Sequence, residues 1–319
     1  MISDNINLAA TILKEHGVIG LPTETVYGLA GNIYSEKAIK EIFYVKQRPL
    51  YNPLIVHIKS IEDLQTIAVD IPPIAIELAT TFWPGPLTLL LPKKDSVPDL
   101  VTAGKQTVAV RIPNHPIALS LLNLIDFPLA APSANPFGMI SPTKAQHVDE
   151  YFKNQIKMVL DGGACQTGIE STIIGFDNTE VVLYRLGGIS REEIEGIAGV
   201  VKLFNKNNKA PEAPGMLSKH YAPSTPLLFT DNIEKSIGQF ADKKMGLLLF
   251  NKAIDSVPEN AIQRLLSQGN SLKEAAAKLY DTLHQLDKSN LDIIIAERFP
   301  DVGLGNVIND KLIRASYNN

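Results

Sequence analysis

Two cations are separated by a single residue in the segment IFYVKQRPLYNPLIVHI, and this spacing suits phosphate chemistry. Lys46 and Arg48 flank one glutamine, and the proline after Arg48 biases the backbone there towards an extended conformation. Alternate side chains of an extended chain project from one face, so both cations can meet the same anion. The pattern predicts a phosphate clamp, and a solvated turn after a helix is the alternative. Asn52 adds a polar group just before the next predicted strand.

Two strand-like segments each place polar side chains on the face opposite their aliphatic side chains. In NPLIVHI, three aliphatic side chains alternate with neighbours that include His57, so His57 is predicted to point away from their core. In TVAVRIP, the same alternation puts Thr107 and Arg111 together, opposite three aliphatic side chains. Thr107 and Arg111 predict a polar floor. A structural histidine and a solvent-facing edge strand are the alternatives that the pattern leaves open.

The segment PLAAPSANPFGMISPT carries several hydroxyl and amide groups. Ser133 and Asn135 directly follow an apolar strand, where α/β sheets commonly present ligand-binding groups. Ser141 precedes Pro142, which predicts a helix N-cap with proline at the first helical position. Free N–H groups at such a helix start attract phosphate. A plain turn before a capped helix is the alternative.

The elements that must position these groups alternate between short β-rich runs and helical patterns. So many predicted strands in the first part of the chain imply α/β architecture with one large twisted mixed sheet and flanking helices. After Val201 the sequence is rich in Asn, Lys and Pro, which predicts an extended linker. Beyond it, PLLFT, MGLLLF and LDIIIAERF alternate with helical patterns and predict a small Rossmann-like three-layer α/β unit. The predicted division is a catalytic domain at 1–204, a linker at 205–225 that could close over the site, and a C-terminal domain at 226–319.

Composition and missing motifs narrow the classes of function. The 319 residues carry a formal net charge of −4, which argues against a protein whose main task is to grip nucleic-acid phosphates. The single cysteine excludes a disulfide framework and favours a reducing cytoplasm. No signal peptide is visible, and no stretch approaches the roughly 20 apolar residues that span a bilayer. The sequence also lacks GxxxxGK[ST], HExxH and GxSxG motifs, which disfavours a Walker-type ATPase.

Seven segments, taken together and in order, resemble the threonylcarbamoyl-AMP synthase family. They are PTETVYGLA at 22–30, KQRPLYNPLIVHI at 46–58, TVAVRIP at 107–113, APSAN at 131–135, SPT at 141–143, ESTII at 170–174 and YRLGG at 184–188. The resemblance covers residues 5 to about 200, and the HYAP sequence in the linker and the C-terminal segment resemble the longer, two-domain members. At Phe137 the chain departs from its relatives, which commonly carry a serine there.

This resemblance implies roles for particular residues. The K-x-R and S-x-N pairs that mark the family are expected to be catalytic and fall on Lys46, Arg48, Ser133 and Asn135. The residues expected to bind L-threonine are Thr25, His57, Arg111 and Ser171. The residues expected to bind ATP are Arg48, Asn52, Thr107, Ser133, Ser141, Arg185 and Tyr221. The planar guanidinium of Arg111 suits the carboxylate of the amino acid.

The resemblance also implies a reaction. Threonine and bicarbonate would form a carbamate that attacks the α-phosphorus of ATP, giving threonylcarbamoyl-AMP and pyrophosphate. Mg²⁺ is expected to arrive with ATP, no protein-only metal site is expected, and a tRNA-modifying transferase complex would take the product. Neither a membrane nor strong direct tRNA binding is expected. An RNA-binding module with a cationic sheet face is the main alternative, and a carbamoyl-transfer module for hydrogenase maturation is the second.

Overall fold

The computed structural model describes residues 1–178, 180–204, 213–215 and 220–316. In these residues the strands form two sheets, one of eleven strands and one of four. The larger sheet belongs to the first part of the chain and the smaller one to the C-terminal part. None of the described helices combines the length and the apolar character that crossing a lipid bilayer requires.

The larger sheet is mixed. Its strands are β1 (Ile2–Ser3), β2 (Ile19–Leu21), β3 (Gly28–Asn32), β4 (Ile55–His57), β5 (Leu87–Pro92), β6 (Thr107–Arg111), β7 (Leu129–Ala130), β8 (Met158–Leu160), β9 (Thr172–Asp177), β10 (Glu180–Arg185) and β11 (Val201–Leu203). They lie side by side in the order β1-β8-β2-β3-β7-β4-β6-β5-β9-β10-β11. β6 runs parallel to β4 and antiparallel to β5, and it is therefore an interior strand. The alternative of a solvent-facing edge strand is wrong for TVAVRIP.

Helices flank this sheet. They are α1 (Ile6–Lys14), α2 (Glu36–Lys46), α3 (Leu64–Ile67), α4 (Pro73–Phe82), α5 (Asp99–Thr102), α6 (Pro116–Asn123), α7 (Ala145–Phe152) with a 3-10 turn at Lys153–Gln155, and α8 (Arg191–Ala198). Side-chain caps start several of them: Ser35 caps α2, and Ser190 forms a capping box with Glu193 at α8. Buried aliphatic side chains fill the space on both faces of the sheet.

Two local predictions are wrong. Lys46 is the last residue of α2 rather than part of an extended run, and Gln47 then turns the chain in the left-handed region at φ 52°. α7 begins at Ala145 with Lys144 at its N-cap, so Ser141 does not cap a helix. The backbone next to Ser141 instead pairs with the segment before β3, because the carbonyl of Pro142 accepts a hydrogen bond from Tyr27 N.

The C-terminal unit is a small parallel α/β layer structure. Its strands are β12 (Leu227–Thr230), β13 (Met245–Leu249), β14 (Ile262–Leu265) and β15 (Ile293–Glu297), and its helices are α9 (Ile233–Gln239), α10 (Leu272–Asp287) and α11 (Leu304–Ser316). All its strand pairs are parallel, in the order β12-β15-β13-β14. α10 and α11 pack on one face and α9 on the other. The predicted three-layer fold is confirmed, although the sequence pattern did not predict β14, whose side chains are partly buried or, at Arg264, exposed.

The two units share a hydrophobic cluster. Val26, Ile140 and Ile169 of the first unit pack with residues of α10 and α11 in one continuous core. A hydrogen bond from Lys311 Nζ to the carbonyl of Leu186 also crosses between the units. The C-terminal unit is therefore docked against the larger sheet.

Candidate active site

A cleft opens beside the docked C-terminal unit, where β3 begins and β6 and β10 end, and both ends of β4 line it. It gathers many of the predicted site residues. Those that line it are Thr25, Arg48, His57, Arg111, Ser133, Ser171, Arg185 and Tyr221. Three guanidinium groups therefore face one small space. This local concentration of positive charge, within a chain of net charge −4, is suited to anionic ligands.

Arg111 is held at the end of β6 by a buried carboxylate. Its Nη2 lies 2.6 Å from Oε2 of Glu24, and its Nη1 donates to Thr25 Oγ1 at 2.9 Å. Glu24 was missed from the sequence, although it lies between two threonines in PTET. The remaining polar atoms, Arg111 Nε and Glu24 Oε1, are buried and have no hydrogen-bond partner among the described residues.

His57 is neutral in this cleft. It lies opposite Arg111 in the register of β4 and β6. Burial, and then the charge of Arg111, lowers the pKa of His57 from 6.5 to about 3. Because its Nδ1 finds no partner among the described residues, the ring can offer a neutral hydrogen-bonding group to a ligand.

Arg185 ties three segments together at the end of β10. Its Nε and Nη2 both donate to the carbonyl of Ser171, at 3.0 and 2.8 Å, and Nη2 also reaches Ser171 Oγ at 2.9 Å. Its Nη1 donates to the carbonyl of Pro214 in the predicted linker at 3.2 Å. Ser171 Oγ is also 2.7 Å from Thr88 Oγ1. The side chain is therefore fixed by a planar fork of donors, which a lysine could not reproduce.

The K-x-R pair supports the S-x-N loop. Lys46 is only 1% exposed, and its Nζ donates to the carbonyls of Ser133 and Asn135. Burial, followed by the charge of Arg48, lowers the pKa of Lys46. Arg48 faces the cleft while donating to the carbonyls of Asn52 and Pro53, and burial next to Arg185 lowers its pKa to about 9. Lys46 thus holds the S-x-N loop, whereas Arg48 faces the cleft.

Comparison with known proteins shows which families the chain matches. Residues 11–187 match the family described as "Telomere recombination", and residues 189–316 match the one described as "Threonylcarbamoyl-AMP synthase, C-terminal domain". The threonylcarbamoyl-AMP synthase of Pyrococcus abyssi is 41% identical, over 98% of this chain and 94% of its own. That of Bacillus subtilis is 40% identical, over 97% and 92%. The crystal structure of P. abyssi Sua5 complexed with L-threonine matches with a TM-score of 0.90 at 40% identity, covering 98% of this chain and 94% of the other.

The chain belongs to the threonylcarbamoyl-AMP synthase family. It is an enzyme of the nucleotidyltransferase type, and the family and the fold class predicted from its motifs are confirmed. The two matched regions meet at residues 187 and 189, before β11. The predicted domain bounds at 204 and 226 stay predictions.

Four of the predicted site residues are buried without lining the cleft: Lys46, Asn52, Asn135 and Ser141. Neither polar atom of the Asn52 side chain has a hydrogen-bond partner among the described residues. Asn135 Nδ2 donates to the carbonyls of Pro136 and Met139, which shapes the loop. Thr107 lies at the opposite end of β6 from Arg111 and also lies outside the lining. The ligand roles of these residues in the synthase stay predictions.

Described parts of the linker cover the cleft. Tyr221 is fully buried, its ring stacks on Tyr280 of α10 at 5.7 Å, and Lys311 Nζ lies 4.9 Å above the same ring. Gly215 lines the cleft, and its carbonyl accepts a hydrogen bond from Arg314 Nη1 at 2.6 Å. The C-terminal unit of the synthase therefore holds the linker in place. Linker residues 205–212 and 216–219 lie outside the described residues.

Phe137, where the chain departs from its relatives, lies beside this cover. Its ring meets that of His220 edge-on, with centroids 6.1 Å apart. Its backbone N–H donates to the carbonyl of Lys46 at 2.8 Å. The larger side chain therefore packs against the linker and leaves the Lys46 contacts with the S-x-N loop intact.

Proposed function

We propose that this chain forms threonylcarbamoyl-AMP and pyrophosphate from L-threonine, bicarbonate or CO₂, and ATP, for the threonylcarbamoyl modification of a tRNA adenosine. The observation that carries the proposal is the convergence of Arg48, Arg111 and Arg185 on one cleft, in a chain of this family. A similar P. abyssi structure is a complex with L-threonine, which supports the amino acid as substrate here.

Arg111 is the proposed anchor for the threonine carboxylate. Glu24 and Thr25 fix its guanidinium from one side and leave its Nε without a partner among the described residues. His57 and Ser171 lie in the same lining. Because its lowered pKa keeps His57 neutral, the ring adds no positive charge that would repel the ammonium group of threonine as it enters the cleft.

Arg48 and Arg185 are the proposed partners of the triphosphate, with Ser133, Asn52, Thr107, Ser141 and Tyr221 completing the predicted ATP contacts. Mg²⁺ would enter as part of the ATP substrate. Positive charge fixed before the reaction stabilises the charge that develops on a departing pyrophosphate. Lys46 would contribute by holding the loop that carries Ser133.

The chemistry needs alignment more than a protein nucleophile. The threonine nitrogen takes up CO₂ to give a carbamate, losing a proton. A carbamate oxygen then bonds to the α-phosphorus, and the bond to the bridging oxygen of pyrophosphate breaks. Bringing the two substrates together in one walled cleft supplies most of what such a transfer requires.

The product is proposed to pass to a tRNA-modifying transferase complex, and the enzyme to work in the cytoplasm without a membrane and without strong tRNA binding of its own. The single, buried cysteine is in keeping with a reducing compartment. No observation in the cleft favours the RNA-binding alternative over a substrate pocket, because its cations lie buried and not on an open sheet face.

Mass spectrometry of the products tests the proposal. The full chain is incubated with ATP, Mg²⁺, bicarbonate and L-threonine, and threonylcarbamoyl-AMP with threonine-dependent pyrophosphate release is expected. L-Serine in place of threonine measures selectivity for the methyl group. Salt-dependent tRNA binding without ATP consumption would instead support the RNA-binding module.

A further inference from the structure

Glu170 is a buried carboxylate in the cleft that receives hydrogen bonds from both structural units. It is 6% exposed and belongs to the cleft lining. Ser141 Oγ donates to its Oε1 at 2.6 Å. The hydroxyl of Tyr280, on α10 of the C-terminal unit, donates to its Oε2 at 2.8 Å. One negative charge in a mainly cationic cleft is thus fixed from two sides.

Tyr280 is itself locked in place as a donor. It is fully buried, and its ring stacks on that of Tyr221 at 5.7 Å. Burial, followed by the charge of Glu170, raises the pKa of the Tyr280 hydroxyl, so the hydroxyl keeps its proton at any working pH. The protonated hydroxyl can therefore donate to Glu170.

The orientation of the Glu170 carboxylate affects the cleft because Glu170 precedes a residue that binds Arg185. The next residue, Ser171, holds Arg185 through its carbonyl. Without the Tyr280 hydroxyl, Oε2 of a buried carboxylate would lose its hydrogen bond, and a buried charged acceptor left unpaired is costly. The carboxylate would turn towards Arg185 or into the cleft, and there it would compete with or repel a triphosphate.

We infer that Tyr280 is a positioning residue of this active site, fixing the Glu170 carboxylate so that Ser141 is held and the cleft stays open to nucleotide phosphates. The inference rests on the proposed function. It makes the C-terminal unit a working part of the nucleotide site rather than an appendage.

The test compares Tyr280→Phe with Lys288→Met, using threonine-dependent pyrophosphate release by the full chain. Lys288 is the C-cap residue of the same helix and pairs with Glu150 of α7 across the same interface, but both side chains are about half exposed and lie outside the cleft lining. Losing the bond to a charged group predicts that Tyr280→Phe raises the KM for ATP about ten-fold or more. The KM for threonine should change far less, and Lys288→Met should leave both values unchanged.

A double-mutant cycle then asks whether Tyr280 acts through Glu170. In a Glu170→Gln background the charge is gone, so Tyr280→Phe should change the KM for ATP by less than about two-fold. Additive effects would overturn the inference, as would a Tyr280→Phe enzyme that behaves like Lys288→Met. So would equal changes in both KM values together with a lower melting temperature, because these indicate a purely structural role. If the unsubstituted chain releases no pyrophosphate, the proposed function fails, which is a separate result.

Discussion

The two units of this molecule differ in how completely their buried polar side chains are hydrogen-bonded. Buried side-chain nitrogen and oxygen atoms that lack a hydrogen-bond partner among the described residues occur on residues between 24 and 221, and none occurs in 226–316. In the C-terminal unit, comparable groups are paired: Asn309 exchanges hydrogen bonds with the backbone of Phe299, and Ser267 donates to Glu274.

This difference places the cleft in the part of the molecule that carries the unpaired polar atoms. An unpaired buried polar atom costs free energy, so it persists where something other than the fold selects for it. Four of the nine residues with such atoms line the cleft: His57 and Arg111 of the larger domain, and His220 and Tyr221 of the linker. The C-terminal unit has no such side-chain atom in 226–316, and it supports the cleft indirectly, through the hydrogen bonds of Tyr280 to Glu170 and of Arg314 to the carbonyl of Gly215.

Removing the carboxylate behind Arg111 should have the largest effect. Glu24→Ala leaves a buried guanidinium without its counter-charge, which should lower the free energy of unfolding by about 3–5 kcal/mol. Urea denaturation measures it. The control is Glu180→Ala, which removes an exposed ion pair with Lys202 and should cost no more than about 1 kcal/mol. An equal loss of unfolding free energy in the two variants would contradict the prediction that the buried pair stabilises the fold more than the exposed one.

Arg185→Lys keeps the charge but loses the fork of donors. We expect kcat/KM for pyrophosphate release to fall by about 10² to 10³, as when one transition-state donor is lost. Arg298→Met in the C-terminal unit, where Arg298 pairs with Asp231 at the surface, is the matched control and should retain activity. A fully active Arg185→Lys enzyme would mean that position 185 supplies only charge.

Deleting 211–224 tests the linker as a cover. The contacts of Pro214, Gly215 and Tyr221 with Arg185, Arg314 and Tyr280 would be lost. ATP affinity should weaken about ten-fold, or about 1.4 kcal/mol, as measured by titration calorimetry. Unchanged affinity and turnover would make the segment a passive tether.

The free energy of unfolding should decrease gradually as the pH is lowered, through one buried histidine in each unit. Burial lowers the pKa of His57, and burial beside His147 that of His284, from 6.5 to about 3. Below pH 6.5 these histidines bind protons in the unfolded chain but not in the folded one. Their contribution to the free energy of unfolding is therefore fully present above pH 6.5 and decreases as the pH drops towards 3. Each histidine contributes a slope of up to about 1.4 kcal/mol per pH unit. Urea unfolding of His284→Gln between pH 4 and 7 should show a shallower slope than the unsubstituted chain, and an identical slope would contradict the assignment.

The sequence by itself determined the family, the fold class and most of the cationic set. Strand alternation placed His57 opposite the aliphatic side chains of its strand and Arg111 opposite those of its own, because side chains of a strand alternate whatever the tertiary context. Motifs such as KQRP and APSAN are short runs of chain, so their spacing is legible before folding.

Only the tertiary structure decided which groups the cations face. Glu24 meets Arg111 across 87 positions, and Tyr280 meets Glu170 across 110, and neither partner can be read from local periodicity. The same holds for Lys46, whose helical position and contact with the S-x-N loop depend on packing that overrides the extended preference expected of its segment. Local pattern fixes where a side chain points along its own element, whereas the hydrogen-bond partners of a buried charge depend on how distant elements are brought together.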